Sequence, residues 1–289
     1  MEQQHDDVER RKSSIRNLQD LPTLSAVLKK IIEIVEDKHS SAKNLSDVIS
    51  TDQSILSVIL KLVNSAFYGH MRKITSIDQA TVILGFNVVK SMALGASIFK
   101  VSRKSGVMRR FDRNGLWVHS LGVATTAKTI AEKVGLDDPE EVFVCGLLHD
   151  VGKVVFEAVF PDEFFQIITM VEEENKSMIE CEKKALGLDH AEAGQILMHK
   201  WHLPINVANS IGYHHASDNA PEECTRLASI IHLADIISRT LRIGSGWDER
   251  TPDMKRYAMK AIDFTPAIFE SVMAETRSKK ESMESFAIF

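Results

Sequence analysis

Cysteine is scarce in this chain. Its 289 residues include three, Cys145, Cys181 and Cys224, scattered and never in a Cys-x-x-Cys pair. That spacing excludes a disulfide framework and a thiolate knuckle for a metal. Long apolar runs are missing as well, since none approaches the roughly 18 residues that would cross a bilayer. The opening stretch from Met1 to Asp20 is polar, with no apolar signal core. Positive charge is not in excess: 35 Lys and Arg against 40 Asp and Glu leave a net −5. No global field therefore draws nucleic acid or an anionic membrane. Gly-x-Gly-x-x-Gly, Gly-x-x-x-x-Gly-Lys-[Ser/Thr] and Gly-x-Ser-x-Gly are all absent, which argues against dinucleotide oxidoreductases, P-loop NTPases and serine hydrolases. The expectation is a soluble, cytoplasmic protein with neither membrane nor nucleic-acid partners.

Apolar residues make up 44% of the chain, enough for a sizeable core, and they recur with a helical period. Leu24, Val27, Leu28, Ile31, Ile32 and Val35 form one stripe; Ile55, Ile59, Leu62, Val63 and Ala66 form the next, with Gly69 as a helix stop. Ser76 is placed to cap a third helix that ends at Gly85, and Val88, Met92, Gly95, Ala96 and Phe99 mark a fourth. Alternating apolar–polar runs joined by Asn-Gly or Asp-Gly turns do not occur. The fold class is all-α. The basic, apolar-poor stretch Val101 to Asn114 suggests a junction. The expected organisation is a polar segment (1–20), a first helical subdomain (21–105), a second helical bundle carrying the chemistry (106–243), and C-terminal helices (244–289) that fray from Phe286. The cluster Arg10, Arg11, Lys12 and Arg16 is offset by acids and reads as a solvated helix terminus.

The chemistry lies in the histidines. In Leu147-Leu148-His149-Asp150-Val151-Gly152-Lys153 an imidazole and a carboxylate stand where apolar residues would be expected. Burying both uncompensated would cost several kcal/mol, and a shared cation satisfies both. A hydrogen-bonded core pair is the competing account. On a continuous helix adjacent residues point about 100° apart, so two neighbouring metals, bridged by Asp150, suit the pair better than one. Lys153 falls on the same helical face, where an ammonium fits an anionic oxygen such as phosphate. His119, His190, His214, His215 and Asp235 complete the candidate set. Asp235 interrupts an apolar helix, either as a ligand or as a core carboxylate bonded to a histidine or to Arg239. His232, one turn before it, reads as a supporting or surface residue. His199 and His202 read as helix-end residues, and Cys145 as a buried inert thiol.

Leu21-Pro22-Thr23-Leu24, Thr51-Asp52-Gln53-Ser54-Ile55-Leu56, Lys61-Leu62-Val63-Asn64-Ser65-Ala66-Phe67-Tyr68-Gly69 and Ile74-Thr75-Ser76-Ile77-Asp78-Gln79-Ala80 resemble the HDOD family, a branch of the HD superfamily of metal-dependent phosphohydrolases. The resemblance runs from about Leu18 to Ser238. It implies an all-helical fold and a place in bacterial signal transduction. Many HDOD proteins resemble the catalytic HD-GYP proteins while lacking their metal residues. Here the pattern is filled, which implies His119, His149, Asp150, His190, His214, His215 and Asp235 as ligands of two divalent ions. Iron or manganese is the usual pair, with zinc, magnesium or nickel as alternatives. Asp150 would bridge and Lys153 would contact phosphate. Ala216-Ser217-Asp218-Asn219 replaces the Gly-Tyr-Pro loop, and Gly115 stands where trinuclear relatives carry a glutamate, so two metals are expected and not three.

Two functions follow. One is a regulatory module that keeps the metal pair for stability or ligand sensing, with a signalling protein or a phosphate-containing small molecule as partner. The other is an active phosphodiesterase acting on a nucleotide or cyclic dinucleotide, with Asp150 and Lys153 as catalytic residues. A scaffold with merely structural histidines is a third, weaker reading.

Overall fold

The computed structural model describes residues 2–18, 24–37, 39–65, 73–100, 111–174, 176–247 and 252–286. Among them are helices and no strand. The N-terminal half contains α1 (Glu2–Arg16), α2 (Ala26–Glu36), α3 (Ala42–Ile49), α4 (Gln53–Val63), α5 (Ile77–Leu84) and α6 (Phe86–Phe99). The remainder contains α7 (Arg113–Lys133), α8 (Pro139–Leu148), α9 (Val151–Val159), α10 (Pro161–Glu174), α11 (Met178–Leu186), α12 (His190–Lys200), α13 (Ile205–Gly212), α14 (Thr225–Thr240), α15 (Arg256–Ala261) and α16 (Pro266–Glu284).

Local sequence sets most of these boundaries. Ser25, Asp52, Ser76, Asp138 and Thr265 accept backbone N–H groups at the starts of α2, α4, α5, α8 and α16. Ser177 with Glu180 and Asp189 with Glu192 close reciprocal capping pairs on α11 and α12. Gly187 ends α11 in the left-handed region, at φ 74°. α4 stops at Val63, before the expected Gly69, which lies outside the described residues together with the rest of 66–72. Asn64 accounts for the early stop. Its amide donates to Leu60 O and Ile74 O, and its carbonyl accepts from Ile74 N, all at 2.7 Å.

α7 is the axis of the second half. It is buried along nearly its whole length, and α8, α14 and α16 pack around it. Glycines let the backbones touch. A Cβ on Gly146 of α8 would lie 2.6 Å from Ala124 Cα on α7, and one on Gly152 of α9 would lie 2.0 Å from the His190 carbonyl oxygen of α12. α6 is buried from Val88 to Phe99 apart from Lys90, and it joins the N-terminal helices to α8 and α9. One apolar core runs from Ile15 to Phe286.

Three details differ from the sequence reading. His149 and Asp150 do not lie inside one helix: α8 ends at Leu148 and α9 begins at Val151, with Asp150 at φ −100°, ψ 9° between them. The chain turns there because α9 must cross α12 at Gly152. The N-terminal segment is not merely polar, since α1 packs on α9 and α12, and Ile15 and, just beyond the helix, Leu18 are buried. Phe286 is not frayed: it is buried, and its carbonyl accepts the Trp117 indole N–H at 3.0 Å. Of the expected Val101–Asn114 junction, residues 101–110 lie outside the described residues, and Arg113 and Asn114 belong to α7.

Gly146 offers a test of the contact between α7 and α8. A Gly→Ala change inside a helix ordinarily stabilises by about 1 kcal/mol. Here the Cβ meets rigid backbone, so Gly146→Ala should destabilise by about 1–3 kcal/mol in urea unfolding. Gly95→Ala, whose Cβ would meet side-chain atoms and no backbone, Leu148 Cδ2 at 3.1 Å and Leu147 Cδ2 at 3.7 Å, should be milder. Equal or greater stability of Gly146→Ala would refute the contact.

Candidate metal centre

Six segments bring the predicted residues together. α7 carries His119, the α8–α9 turn carries His149 and Asp150, and α9 carries Lys153 one turn later. His190 opens α12, His214 and His215 follow α13, and Asp235 lies on α14. The potential ligand atoms of Asp150, His190, His214 and His215 all lie within 4.8 Å of one another, and so do those of His119, His149 and Asp150. Asp150 belongs to both groups, which places it between them. Asp235 belongs to neither, but its Oδ1 is 3.0 Å from His119 Nε2 and accepts Arg239 Nε–H at 2.8 Å. Both partners weighed for Asp235 in the sequence are thus present. His199 and His202 belong to neither group.

The orientation of the rings is the informative part. His149 Nδ1 lies 2.7 Å from Gly146 O, His214 Nδ1 lies 2.6 Å from Ile211 O, and His190 Nδ1 lies 2.7 Å from Glu182 Oε2. A carbonyl or carboxylate oxygen can only accept, so each Nδ1 is the donor. A neutral ring then has its lone pair at Nε2. The Nε2 atoms of His149 and His214 are buried with no hydrogen-bond partner, and the buried His119 Nε2 faces carboxylate oxygens, Asp235 Oδ1 at 3.0 Å and Asp150 Oδ2 at 3.9 Å. His190 Nε2 stands 3.1 Å from Asp150 Oδ1 and 2.9 Å from His215 Nε2. Buried polar atoms left unpaired cost about 1–3 kcal/mol each. Two of them pointing inward at one carboxylate fit a cation site with its supporting layer already built.

Electrostatics agrees with the geometry at His119, His214 and His215, and differs at His190, whose neighbouring carboxylates hold a proton on the ring in metal-free protein. Burial drives His119 and His215 below the usual imidazole range. Burial, reinforced by the charges of His149 and His190, drives His214 down to about 3. Burial alone would lower His190 too, but Glu182 and Asp150 outweigh it and raise it to about 9. Asp150 is held well below the carboxylate range against its burial by His149 and Lys153, and Asp235 by Arg239 and His119. Lys153 is fully buried; its ammonium donates to Asp150 Oδ2 at 2.7 Å and to Gly246 O at 2.8 Å. Cys145 is buried with its thiol pushed up to about 12, chiefly by burial, which leaves it inert.

Glu182 was missed in the sequence. It is buried and accepts both the His190 backbone N–H, at 3.0 Å, and the ring. A signal existed: Met178, Glu182 and Leu186 are spaced by four on α11 and all are buried, so an acid interrupts an apolar stripe. His232 is a supporting residue and not a surface one, with Nδ1 3.0 Å from the His214 carbonyl.

The HDOD domain model matches residues 21–217, about two thirds of the sequence. The chain belongs to the HDOD family. An HDOD domain protein of Geobacter sulfurreducens, known from a crystal structure, is 26% identical and superposes with a TM-score of 0.71 over 98% of this chain and 99% of its own. An uncharacterized protein of Treponema pallidum is 27% identical over 78% of this chain and 43% of its own length. Ribonuclease Y of Mycoplasmoides gallisepticum is 24% identical over 73% and 31%. This HDOD chain thus spans less than half the length of those curated relatives. No helix among its described residues is long and apolar enough to cross a membrane.

The opposed shifts predict a pH profile for metal-free protein. His214 binds a proton near 6.5 when unfolded but only near 3 when folded, so its contribution is lost as pH falls from 6.5 toward 3. His190 runs the other way: its contribution is complete below 6.5 and lost as pH rises through 9. In chelator, the melting temperature should peak near pH 6.5 and fall on both sides. Glu182→Gln should flatten the alkaline limb. A wild-type profile that is level between pH 6.5 and 9 would contradict this assignment.

Proposed function

We propose that this chain is a regulatory HDOD module of bacterial signal transduction whose helical bundle holds two divalent cations. One observation carries the reading: buried ligand atoms of His119 and His149 on one side, and of His190, His214 and His215 on the other, gather in two groups that share Asp150. His119 and His149 would serve one ion and His190, His214 and His215 the other, with Asp150 common to both. Asp235 would join on the His119 side, where Arg239 shares its carboxylate. Imidazole with carboxylate suits first-row metals such as iron or manganese. Bound there, the ions would supply Lewis acidity toward phosphoryl oxygens.

Closure of the site supports sensing over turnover. His119, His149, Asp150, Lys153, His190 and His214 are all at most 1% exposed, and no Gly-Tyr-Pro loop follows His215. The N-terminal half would then face the signalling partner, with Val82 and Ile83 of α5 exposed. A phosphodiesterase is the second reading. A buried ammonium at Lys153 beside Asp150 favours it, since that is the charge a phosphodiester oxygen would need. The likeness to ribonuclease Y is in keeping with it.

Untagged protein loaded with manganese or ferrous iron should melt well above chelated protein. A ligand at 1,000 times its dissociation constant adds about 4 kcal/mol, and Asp150→Ala should abolish the difference. Metal occupancy should also fall as pH drops, because His190, raised to about 9 in metal-free protein, must give up a proton to ligate. No response to chelator at any loading would refute the metal reading. Hydrolysis of bis(p-nitrophenyl) phosphate by wild type but not by Asp150→Ala would replace the regulatory reading with the enzymatic one.

A further inference from the structure

The space beside Lys153 and His119 is filled by the chain's own backbone. The Gly246 carbonyl accepts from Lys153 Nζ at 2.8 Å. A Cβ on Gly246 would stand 3.2 Å from His119 Nε2 and 3.5 Å from Arg239 Nη2. One peptide unit therefore sits among an ammonium, a guanidinium and a ring nitrogen of the candidate centre. A phosphoryl group, with several anionic oxygens, suits the ammonium and the guanidinium better than a neutral carbonyl with a single oxygen, because hydrogen bonds between charged partners are the stronger ones.

The segment that delivers Gly246 is a short irregular strap after α14. Ile243 is buried against Gly122, where a Cβ would meet its Cγ2 at 2.7 Å. Gly244, at φ 62°, lies so close to α7 that a Cβ would be 2.3 Å from both Gly115 O and His119 N. Ser245 N donates to Gly115 O at 2.8 Å. The Trp247 ring rests on Phe111 at 5.5 Å between centroids. Arg242 and Trp247, on either side of Ile243–Gly246, adopt φ of 53° and 60°, a region that non-glycine side chains rarely occupy. The Trp247 indole N–H is buried without a partner. The strap is held by a handful of contacts, and its closed form leaves both backbone strain and an unsatisfied donor.

We propose that Ile243–Trp247 is an internal stopper: the Gly246 carbonyl holds the anion position of the metal centre, and a phosphate-bearing small molecule enters by displacing it from Lys153. The inference rests on the metal reading above and names the ligand class and the moving part of that site. Displacement frees the Ser245 N–H from α7, so occupancy of the centre becomes a change at the protein surface, where Gly244 and Ser245 are exposed.

The probe is inorganic phosphate, titrated calorimetrically into manganese-loaded full-length protein whose metal content is measured in the same sample. Gly244→Ala, which forces the strap off α7, and Trp247→Ala, which removes its ring anchor, should each bind phosphate at least tenfold more tightly than wild type. Phosphate should also speed hydrogen exchange at the Ser245 amide of wild type. If Gly244→Ala fails to fold, Trp247→Ala carries the comparison. Two metals per chain with unchanged phosphate affinity in the folded variants would overturn the stopper and leave the metal centre standing. Chains that take up no metal would overturn both.

Discussion

The site depends on where three imidazole protons are held. His149, His190 and His214 each give the Nδ1 proton to an acceptor on the outer side, Gly146 O, Glu182 Oε2 and Ile211 O respectively. That tether fixes ring rotation and tautomer together, and it turns Nε2 inward. Two of the acceptors are backbone carbonyls one turn back in the same segment, so helix geometry supplies them without a dedicated side chain. The third comes from Glu182 on a separate helix. Lose the tethers and the inward lone pairs scatter.

Packing makes the convergence possible. His119 and His149 meet because α8 lies against α7 at Gly146, and Asp150 reaches His190 because α9 touches α12 at Gly152. Gly146 serves twice, once through the absence of its side chain and once through the carbonyl that holds His149. Asp150 is the hub of the charge arrangement. Buried completely, it stays ionised because His149, Lys153 and His190 surround it. A carboxylate in that setting is strongly destabilised by removal of any one partner, which ties the core of this half to its candidate chemistry. The Gly246 carbonyl then supplies Lys153 with a second acceptor.

The all-α class was legible because stripes such as Leu28, Ile31, Ile32 and Val35 repeat with the helical period and end at Ser, Asp and Gly caps. Of the seven candidate ligands, His149, Asp150 and Asp235 stood out as polar residues within apolar runs, whereas the complete set was expected from the family resemblance. Less could be read where two distant segments decide the outcome. The helix break at Asp150 follows from α12 crossing at Gly152, a contact 38 residues away in sequence that no local pattern announces. Phe286 looked like a loose end because its Trp117 partner lies far back along the chain. Gly244 and Gly246 read as punctuation, since only the folded chain shows what their missing side chains make room for. Glu182 was readable in principle, as an acid at the centre of a buried four-residue repeat, but one acid among 40 carries little weight until its histidine is beside it.

The most direct measurement is anomalous scattering from crystals of untagged, manganese-loaded protein, collected above and below the manganese edge. The account predicts two peaks about 3.5–4 Å apart, one on each side of Asp150, with His119 and His149 at one and His190, His214 and His215 at the other. Clear density for the seven side chains with no anomalous peak between them, after loading with excess metal, would contradict it.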